Sequence, residues 1–322
     1  MYLRKQLERK NIDVFNPRGK ELYEIDEVKI FCGLMLECID PESKIQKGIK
    51  NLPGTPKKNM GKWRRRAIEF INQSPEPVSP ISLKEFVEHW QLRIPTNSKP
   101  WPESVRLMDL AYKLVRWIEY LQDDVEGVVY LEAITQTISQ TGYFNEFGST
   151  IIFNQGLEYE KRSIEKLIWN IFVPLSNGGV TIEEKLLETL PSDRLNIMSI
   201  HQSKGLEFPL VIVDVGSKFN KNLSKTSNLR FPKTAKTGLL QKWINKYSDF
   251  EITRDEIDRC FDDLTRLYFV AFSRAEEVLI LIGLNSGIKG YIKNGKHTHI
   301  PNIALAWTRN EEFVGFEEIY MI

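Results

Sequence analysis

The stretch that decides the fold is LNIMSIHQSKGLEFPLVIVD, residues 195–214. Two short apolar runs, 195–200 and 210–215, flank a loop that carries a histidine, a lysine, a glycine and a glutamate in close succession. A strand followed by a polar loop is how an α/β sheet presents a ligand site at the carboxyl end of a strand. We therefore predict a ligand-binding loop between two strands of an α/β domain.

A second long motif, DLTRLYFVAFSRA, follows at residues 263–275. The run SIHQSKGLEF at 199–208 resembles motif V of the UvrD/Rep/PcrA group of superfamily 1 DNA helicases. The second motif resembles motif VI of the same group, whose usual form is E-E-R-R-L-x-Y-V-A-x-T-R-A. Leu264 and Thr265 depart from the charged pair of that form, and Ser273 replaces its threonine. Two long motifs in the same order as in the family make the resemblance specific.

The chain contains no P-loop, the G-x-x-x-x-G-K-[ST] element that wraps nucleotide phosphates. Its three Gly-Lys pairs are followed by Glu21, Trp63 and His297, never by serine or threonine. The ligands of a magnesium ion, an Asp-Glu pair after an apolar strand, are also missing from the sequence. ATP and Mg²⁺ are therefore expected as cofactors of a full-length enzyme, with the Mg²⁺ ligands outside this chain.

Length and composition set the remaining limits. A chain of 322 residues exceeds the roughly 250–300 residues at which single cores split, so at least two domains are expected. The net charge of +1 means that any nucleic-acid surface is a local patch. Three cysteines without a C-x-x-C spacing favour reduced thiols in a cytosolic protein. The charged start is not a signal peptide, and no apolar run approaches the ~18 residues of a membrane helix. We predict a cytoplasmic protein without a membrane partner.

The family resemblance implies a RecA-like, P-loop NTPase-like domain with a parallel sheet, here lacking the P-loop and split by a mostly α-helical insertion. The boundaries that follow are 1–42 and 192–322 for the RecA-like domain (2A) and 43–191 for the insertion (2B). Within the insertion, 104–122 shows a wide apolar stripe at helical spacing and is predicted as one helix.

Four runs are predicted as strands of one mainly parallel sheet, because helical segments separate them and both faces of such a sheet need cover. They lie at 12–15, 195–200, 210–215 and 278–282.

The resemblance also implies a nucleotide site. Glu207 stands where the family binds the ribose hydroxyls of ATP, which suits a carboxylate because it accepts hydrogen bonds from both. Arg274 stands where the family places an arginine finger on the γ-phosphate. Gly205 permits a tight turn and a close backbone approach. The alternatives are a surface glutamate before a strand and a helix-end arginine that pairs with its own C-terminal carbonyls.

The same loop carries the predicted DNA contacts. Ser199, His201 and Ser203 lie where the family touches the single-strand backbone, since hydroxyl and imidazole groups donate to phosphate without reading sequence. Lys204 either approaches phosphate or pairs with an acidic group. A second candidate is the basic cluster at 57–66, in which lysines and arginines surround Trp63. A third is the basic stretch at 218–236. Solvated charge is the ordinary alternative for both.

The sequence as a whole is interpreted as the C-terminal part of an ATP-dependent DNA helicase that translocates on single-stranded DNA and unwinds duplex. Its expected partners are single-stranded DNA, duplex DNA and an N-terminal RecA-like domain in the same or a separate chain. This chain alone is expected to be inactive. Two alternatives remain open: a standalone non-catalytic DNA- or partner-binding module, and a part of a RecB-like helicase–nuclease.

Overall fold

The computed structural model divides into two compact units, Met1–Ile197 and Met198–Ile322. It describes residues 2–17, 19–95, 100–142, 146–153, 156–180, 182, 190–215 and 256–282, with the backbone of 292–293 and 296–297. Both helices and strands occur in the described residues, so the α/β prediction is confirmed at that level.

The first unit is mostly helical. Its helices are α1 Tyr2–Glu8, α2 Asp26–Ile39, α3 Lys44–Gly48, α4 Gly54–Asn72, α5 Leu83–Leu92, α6 Leu107–Leu114, α7 Tyr120–Asp123, α8 Val125–Thr141, α9 Leu157–Leu167 and α10 Val173–Ser176. A π-helical turn, Ile168–Phe172, joins the last two helices, and 3₁₀ turns lie at Leu22–Glu24, Pro41–Ser43 and Val115–Trp117. Its strands are β1 Val14–Phe15, β2 Ser104–Arg106, β3 Thr150–Ile152 and β4 Leu195–Asn196.

Helix α2 forms the centre of this unit because it is apolar on nearly every side. Its residues from Ile30 to Ile39 are all buried. Gly33 lets α4 come close: a Cβ at that position would stand 2.2 Å from the backbone oxygen of Trp63. Helix α2 therefore shares one core with helices of the predicted insertion. That packing was not anticipated, and the partition at 42/43 and 191/192 stays a prediction.

The prediction of one helix over 104–122 is wrong. Residues Ser104–Arg106 instead pair antiparallel with β3, with Val105 opposite Ile151. Helix α6 then ends in the 3₁₀ turn, and Ile118 leaves helical geometry altogether with φ −124° and ψ 81°. The apolar stripe is real, since Leu107, Leu110, Ala111 and Leu114 are buried. Hydrophobic periodicity thus predicted which side chains are buried but not whether the helix is uninterrupted.

The second unit contains β5 Phe208–Asp214, α11 Glu256–Phe272 and β6 Ala275–Ile282, with a short hairpin of β7 Ile292–Lys293 and β8 Lys296–His297. Helix α11 covers one face of the sheet, where Val213, Val215, Tyr268 and Ala271 form a small core. The side chains on the opposite face, between 42% and 48% exposed, are Leu210, Ile212, Val278, Ile280 and Ile282.

The four predicted strands form two pairs, and the two strands of each pair are parallel; among the described residues, hydrogen bonds join them within these pairs. Strand β1 pairs with β4, with Val14 opposite Leu195. Strand β5 pairs with β6, with Ile212 opposite Ile280. The predicted strand at 195–200 is regular only at its first two residues, because the rest turns into the motif V loop.

Within the described part of the chain, no helix is both long and apolar enough to cross a membrane. The same residues contain no group of three His, Cys, Asp or Glu side chains that is suited to a metal ion.

Candidate functional site

The loop 199–207 is closed by its own hydrogen bonds. The carbonyl of Ser199 accepts from the amides of Gln202 and Ser203, at 3.0 and 3.2 Å. In return, the Gln202 Oε1 atom accepts from the Ser199 amide at 2.7 Å. The amide of Leu206 donates to the carbonyl of Ser203 at 3.1 Å, which ends the turn. The loop is therefore a defined turn that is held by backbone and side-chain hydrogen bonds within the loop itself.

Gly205 is required because of its backbone conformation and not because a side chain would clash with a neighbour. Its φ is +85°, a value that side chains other than glycine rarely tolerate. No described atom lies within 4 Å of the place where a Cβ would stand. The turn therefore selects glycine through backbone geometry.

Arg274 joins motif VI to motif V. Its Nη1 atom donates to the carbonyl of Leu206 at 2.9 Å. The carbonyl of Arg274 accepts from the amide of Phe208 at 2.9 Å. These two bonds bracket Glu207, so the backbone of Glu207 lies beside Arg274.

The helix-end alternative for Arg274 is also seen. Its Nε atom donates to the Val270 carbonyl at 3.0 Å, and its Nη2 atom donates to the Ser273 hydroxyl at 3.0 Å. A guanidinium carries more N–H groups than these bonds use, so the anchored side chain retains donors for an anion. The anchoring fixes where those donors lie.

The other predicted site residues differ in exposure. Ser199, His201, Lys204 and Glu207 are exposed on the loop surface. Ser203 is only 8% exposed, and its hydroxyl donates to the Ile200 carbonyl at 2.9 Å. Its observed role is therefore to hold the turn together. The ligand roles of all five remain predictions.

Tyr268 was given no role in the sequence-based interpretation, although it lies inside motif VI. It is 2% exposed, and its hydroxyl donates to the carbonyl of Asp214 at 3.3 Å. Burial, with the nearby Asp214 charge, raises the pKa of this phenol above its ordinary value. The bond ties α11 to the end of β5. The sequence signal was its position on the apolar side of α11.

The basic cluster at 57–66 is divided by the structure. Trp63 is completely buried, and its Nε1 atom donates to the Tyr23 carbonyl at 3.2 Å. Arg64 is buried against Glu37 and Asp40, with 2.9 Å to each. The hypothesis that the tryptophan and this arginine lie on nucleic acid is therefore wrong, because core packing and buried carboxylates occupy them. The stretch 218–236 lies outside the described residues.

Comparison with known proteins agrees with the motifs. The model of the UvrD-like helicase C-terminal domain matches residues 113–286. The chain is 26% identical over 269 residues to the A subunit of the ATP-dependent helicase/nuclease of Alkaliphilus oremlandii, covering 71% of this chain and 21% of that protein. It is 29% identical over 268 residues to the corresponding protein of Clostridium perfringens strain 13, covering 70% of this chain and 20% of that protein. The chain thus spans about a fifth of the length of these curated relatives.

The family match covers more than half of the chain and contains both motifs. The Arg274–Leu206 and Phe208–Arg274 hydrogen bonds join those motifs in space. From the motifs, their contact and this match together, we conclude that the chain belongs to the UvrD-like helicase C-terminal domain family.

Proposed function

We propose that this chain is the C-terminal part of an ATP-dependent DNA helicase, consisting of a RecA-like domain without a P-loop and a helical insertion. The supporting observation is the anchoring of Arg274 on the motif V loop through the Leu206 carbonyl. One residue pair thereby connects the predicted phosphate-binding group to the loop predicted to touch DNA.

In this proposal, a P-loop domain in the same or a separate chain would hold Mg²⁺-bound ATP, whose γ-phosphoryl group would pass to water with ADP as the leaving group. Arg274 directs its remaining N–H groups at the γ-phosphate, where charge develops during transfer; such arginines contribute roughly 10³–10⁵ in rate. The exposed carboxylate of Glu207 accepts from the ribose hydroxyls.

The loop 199–204 supplies the DNA contacts. Exposed Ser199, His201 and Lys204 present hydroxyl, imidazole and ammonium donors, which suit phosphate oxygens and read no base. Because Arg274 and the loop share the Leu206 carbonyl, a shift of the guanidinium toward phosphate pulls on the loop. This connection offers a physical route from ATP binding to the grip on DNA.

The names of the relatives favour the second alternative from the sequence analysis, in which the chain is part of a helicase–nuclease. Their names describe them as parts of an ATP-dependent helicase/nuclease. We infer that the parent assembly is an ATP-dependent helicase/nuclease and not a free-standing UvrD/Rep-type enzyme. In this proposal the chain works with a further polypeptide, and the assembly serves DNA repair.

The test is ATP hydrolysis by the parent enzyme, stimulated by single-stranded DNA. Arg274→Ala should lower kcat by at least about 10³-fold with little change in KM, because the charge acts in the transition state. Arg266→Ala is the matched control, since Arg266 lies in the same motif but is 79% exposed and pairs with Asp263 of its own helix.

An Arg274→Ala enzyme that keeps more than about a tenth of its kcat, a loss below ~1.4 kcal/mol, would show that Arg274 is only structural. The 322-residue chain by itself should show no ATP turnover. Turnover near 1 s⁻¹, within the ordinary range of enzymes, would refute the assignment of the P-loop to another domain.

A further inference from the structure

The parallel pair of the second unit is interrupted close to the motifs. In the main part of the pair, Leu210 lies opposite Val278 and the following residues continue in even register. The neighbouring pair on the motif side is Phe208 opposite Ala275. Between these two pairs β5 advances by two residues and β6 by three, so β6 holds one extra residue at Glu276–Glu277. The strand therefore forms a β-bulge where motif VI ends, and bulges beside functional sites commonly redirect a side chain.

The residue of β5 that lies opposite the bulge is Pro209. Proline has no amide N–H, so it cannot supply a hydrogen bond to the ladder, and within sheets it occurs at edges and bulges. Beyond the bulge the ladder is regular to its end, where the Val215 amide donates to the Ile282 carbonyl at 2.8 Å. The interruption thus coincides with the residue of β5 that cannot donate.

The bulge decides which residue of motif V faces Arg274. One step back from the Phe208–Ala275 pair, Arg274 lies opposite Glu207. If the even register of the rest of the pair continued, Arg274 would instead lie opposite Leu206. A strand rises by about 3.3 Å per residue, so the bulge moves Arg274 along motif V by about that distance.

In this register the side chain of Arg274 replaces a backbone donor. A residue in a regular parallel pair donates to the carbonyl before its opposite residue and accepts from the amide after it. Arg274 accepts in this way from the Phe208 amide at 2.9 Å, but its own amide donates to the Ala271 carbonyl at the end of α11, at 3.3 Å. The Leu206 carbonyl accepts from the Nη1 atom at 2.9 Å instead. The guanidinium completes the ladder, and it does so at the position that the bulge sets.

We propose that Pro209 is a positioning residue for Arg274: it keeps the bulge in place, holds the guanidinium on the Leu206 carbonyl and thereby sets where the remaining N–H groups lie relative to the γ-phosphate. The inference rests on the proposed role of Arg274 in ATP hydrolysis. It adds that a proline, which has no group that could bind phosphate, controls this role through the register of the sheet.

The first test uses Pro209→Val in the full chain. Valine restores the amide donor and favours strands, so β5 should not be weakened by the substitution. We expect the pairing to become even, so that the Phe208 amide loses the Arg274 carbonyl and its hydrogen exchange accelerates by at least about tenfold. The Val215 amide, which is bonded beyond the bulge, should keep its exchange rate.

The second test measures ATP hydrolysis by the parent enzyme with single-stranded DNA. Pro209→Val should lower kcat by at least about tenfold with a much smaller change in KM, because the arginine acts in the transition state. In an Arg274→Ala background, Pro209→Val should cause no further loss, because both substitutions act through the same side chain. A general loss of stability would instead add to the effect of Arg274→Ala.

A change in strand length separates the bulge from the chemistry of its residues. Deletion of Glu277 removes the extra residue and moves Arg274 by one position along β6, to the opposite face of the strand. The kcat should then fall about as far as in Arg274→Ala. Glu277→Ala is the matched control: it keeps the number of residues and therefore the bulge, so exchange at Phe208 and kcat should both stay unchanged.

Each outcome decides the proposal. Unchanged exchange at Phe208 in Pro209→Val, or an unchanged kcat while Arg274→Ala is inactive, would overturn the positioning role and leave the arginine finger standing. A loss in Glu277→Ala as large as that of the deletion would show that the glutamate matters and the bulge does not. If Arg274→Ala keeps its kcat, the positioning role fails together with the proposed function.

Discussion

Helix α2 and the β5–β6 sheet are both apolar on two sides, yet only the helix is enclosed. Residues 30–39 of α2 are all buried by helices of the same unit. On the sheet, α11 covers one face, and the other face leaves a row of aliphatic side chains close to half exposed. Parallel sheets are normally covered on both faces, and contiguous exposed apolar patches mark surfaces that meet another element. An apolar sequence therefore indicates which side chains favour burial, but it does not show whether the fold buries them.

Charged residues show the same contrast. In the first unit, Arg64 and Glu126 are buried and bonded from several sides. In the second unit, Glu207, Lys204 and His201 are exposed on a loop whose shape is set by backbone bonds. Closed networks stabilise a fold, whereas exposed donors and acceptors on a defined loop are available to a ligand. Substitutions of buried, bonded residues should therefore have larger effects than substitutions of exposed residues. The predictions below run from the largest expected effect to the smallest.

Arg64→Ala should destabilise the first unit by about 3–5 kcal/mol, because it leaves the buried carboxylates of Glu37 and Asp40 without their cation. Arg65→Ala is the matched control: Arg65 is the next residue of α4 and is exposed, so the change should stay within about 0.5 kcal/mol. Denaturant unfolding followed by far-ultraviolet circular dichroism measures both. Equal losses in the two variants would refute the view that Arg64 is a core residue.

The two faces of the sheet should respond differently to truncation. Val213→Ala removes buried methyl groups under α11 and should cost about 1–2 kcal/mol. Ile212→Ala, at the adjacent strand position but facing outward, should cost less than about half of that, because its side chain is 47% exposed. Hydrogen exchange of the β5 amides compares them. An Ile212→Ala loss as large as that of Val213→Ala would mean that the outer face is covered in solution.

Substitution of two glycines by alanine should change stability in opposite directions. Gly205→Ala forces a side chain into positive φ and should destabilise the loop by about 1–2 kcal/mol. Gly61→Ala lies inside α4 with no described atom within 4 Å of the new methyl group, and should stabilise by about 0.5–1 kcal/mol. Thermal unfolding gives the sign for Gly61→Ala, and oligothymidylate binding reports the loop. A stabilising Gly205→Ala would show that the turn is not adopted.

The smallest effect concerns pH. Hydrogen bonding from Arg66 lowers the pKa of Asp26, with Lys29 and Lys20 adding to the shift. A lowered folded-state pKa contributes stability that is present above the ordinary aspartate value of about 3.9 and is lost as pH falls through the folded value. The pair is half-exposed, so its contribution should stay below about 1 kcal/mol. Asp26→Asn should lower stability at neutral pH by that amount and converge with the unmodified chain in acid. A gap that persists in acid would contradict this.

Much of the candidate site could be read from the sequence, because the residues of motifs V and VI carry local and specific constraints. Gly205 needs positive φ, and the polar loop needs an adjacent strand; both are local properties. The contact between Arg274 and Leu206 follows from two strands that pair in parallel, so the order of the motifs was enough to place them together. Tyr268 was missed and the burial of Ser203 was not anticipated, because side-chain burial depends on neighbours that are distant along the chain.

The sequence by itself determined the family, the absence of a P-loop from this chain and the parallel direction of the strand pairs, and it proposed which residues of motifs V and VI form a site. Only the tertiary structure decided that 104–122 breaks into a strand and two helices, that Trp63 and Arg64 belong to the core, and that Glu126 accepts hydrogen bonds from α1, α7, α8 and the residue after β1. Motifs and periodicity are properties of neighbouring residues. Burial and ion pairing depend on partners that the folded chain brings together from far apart, so they are settled only when the whole unit packs.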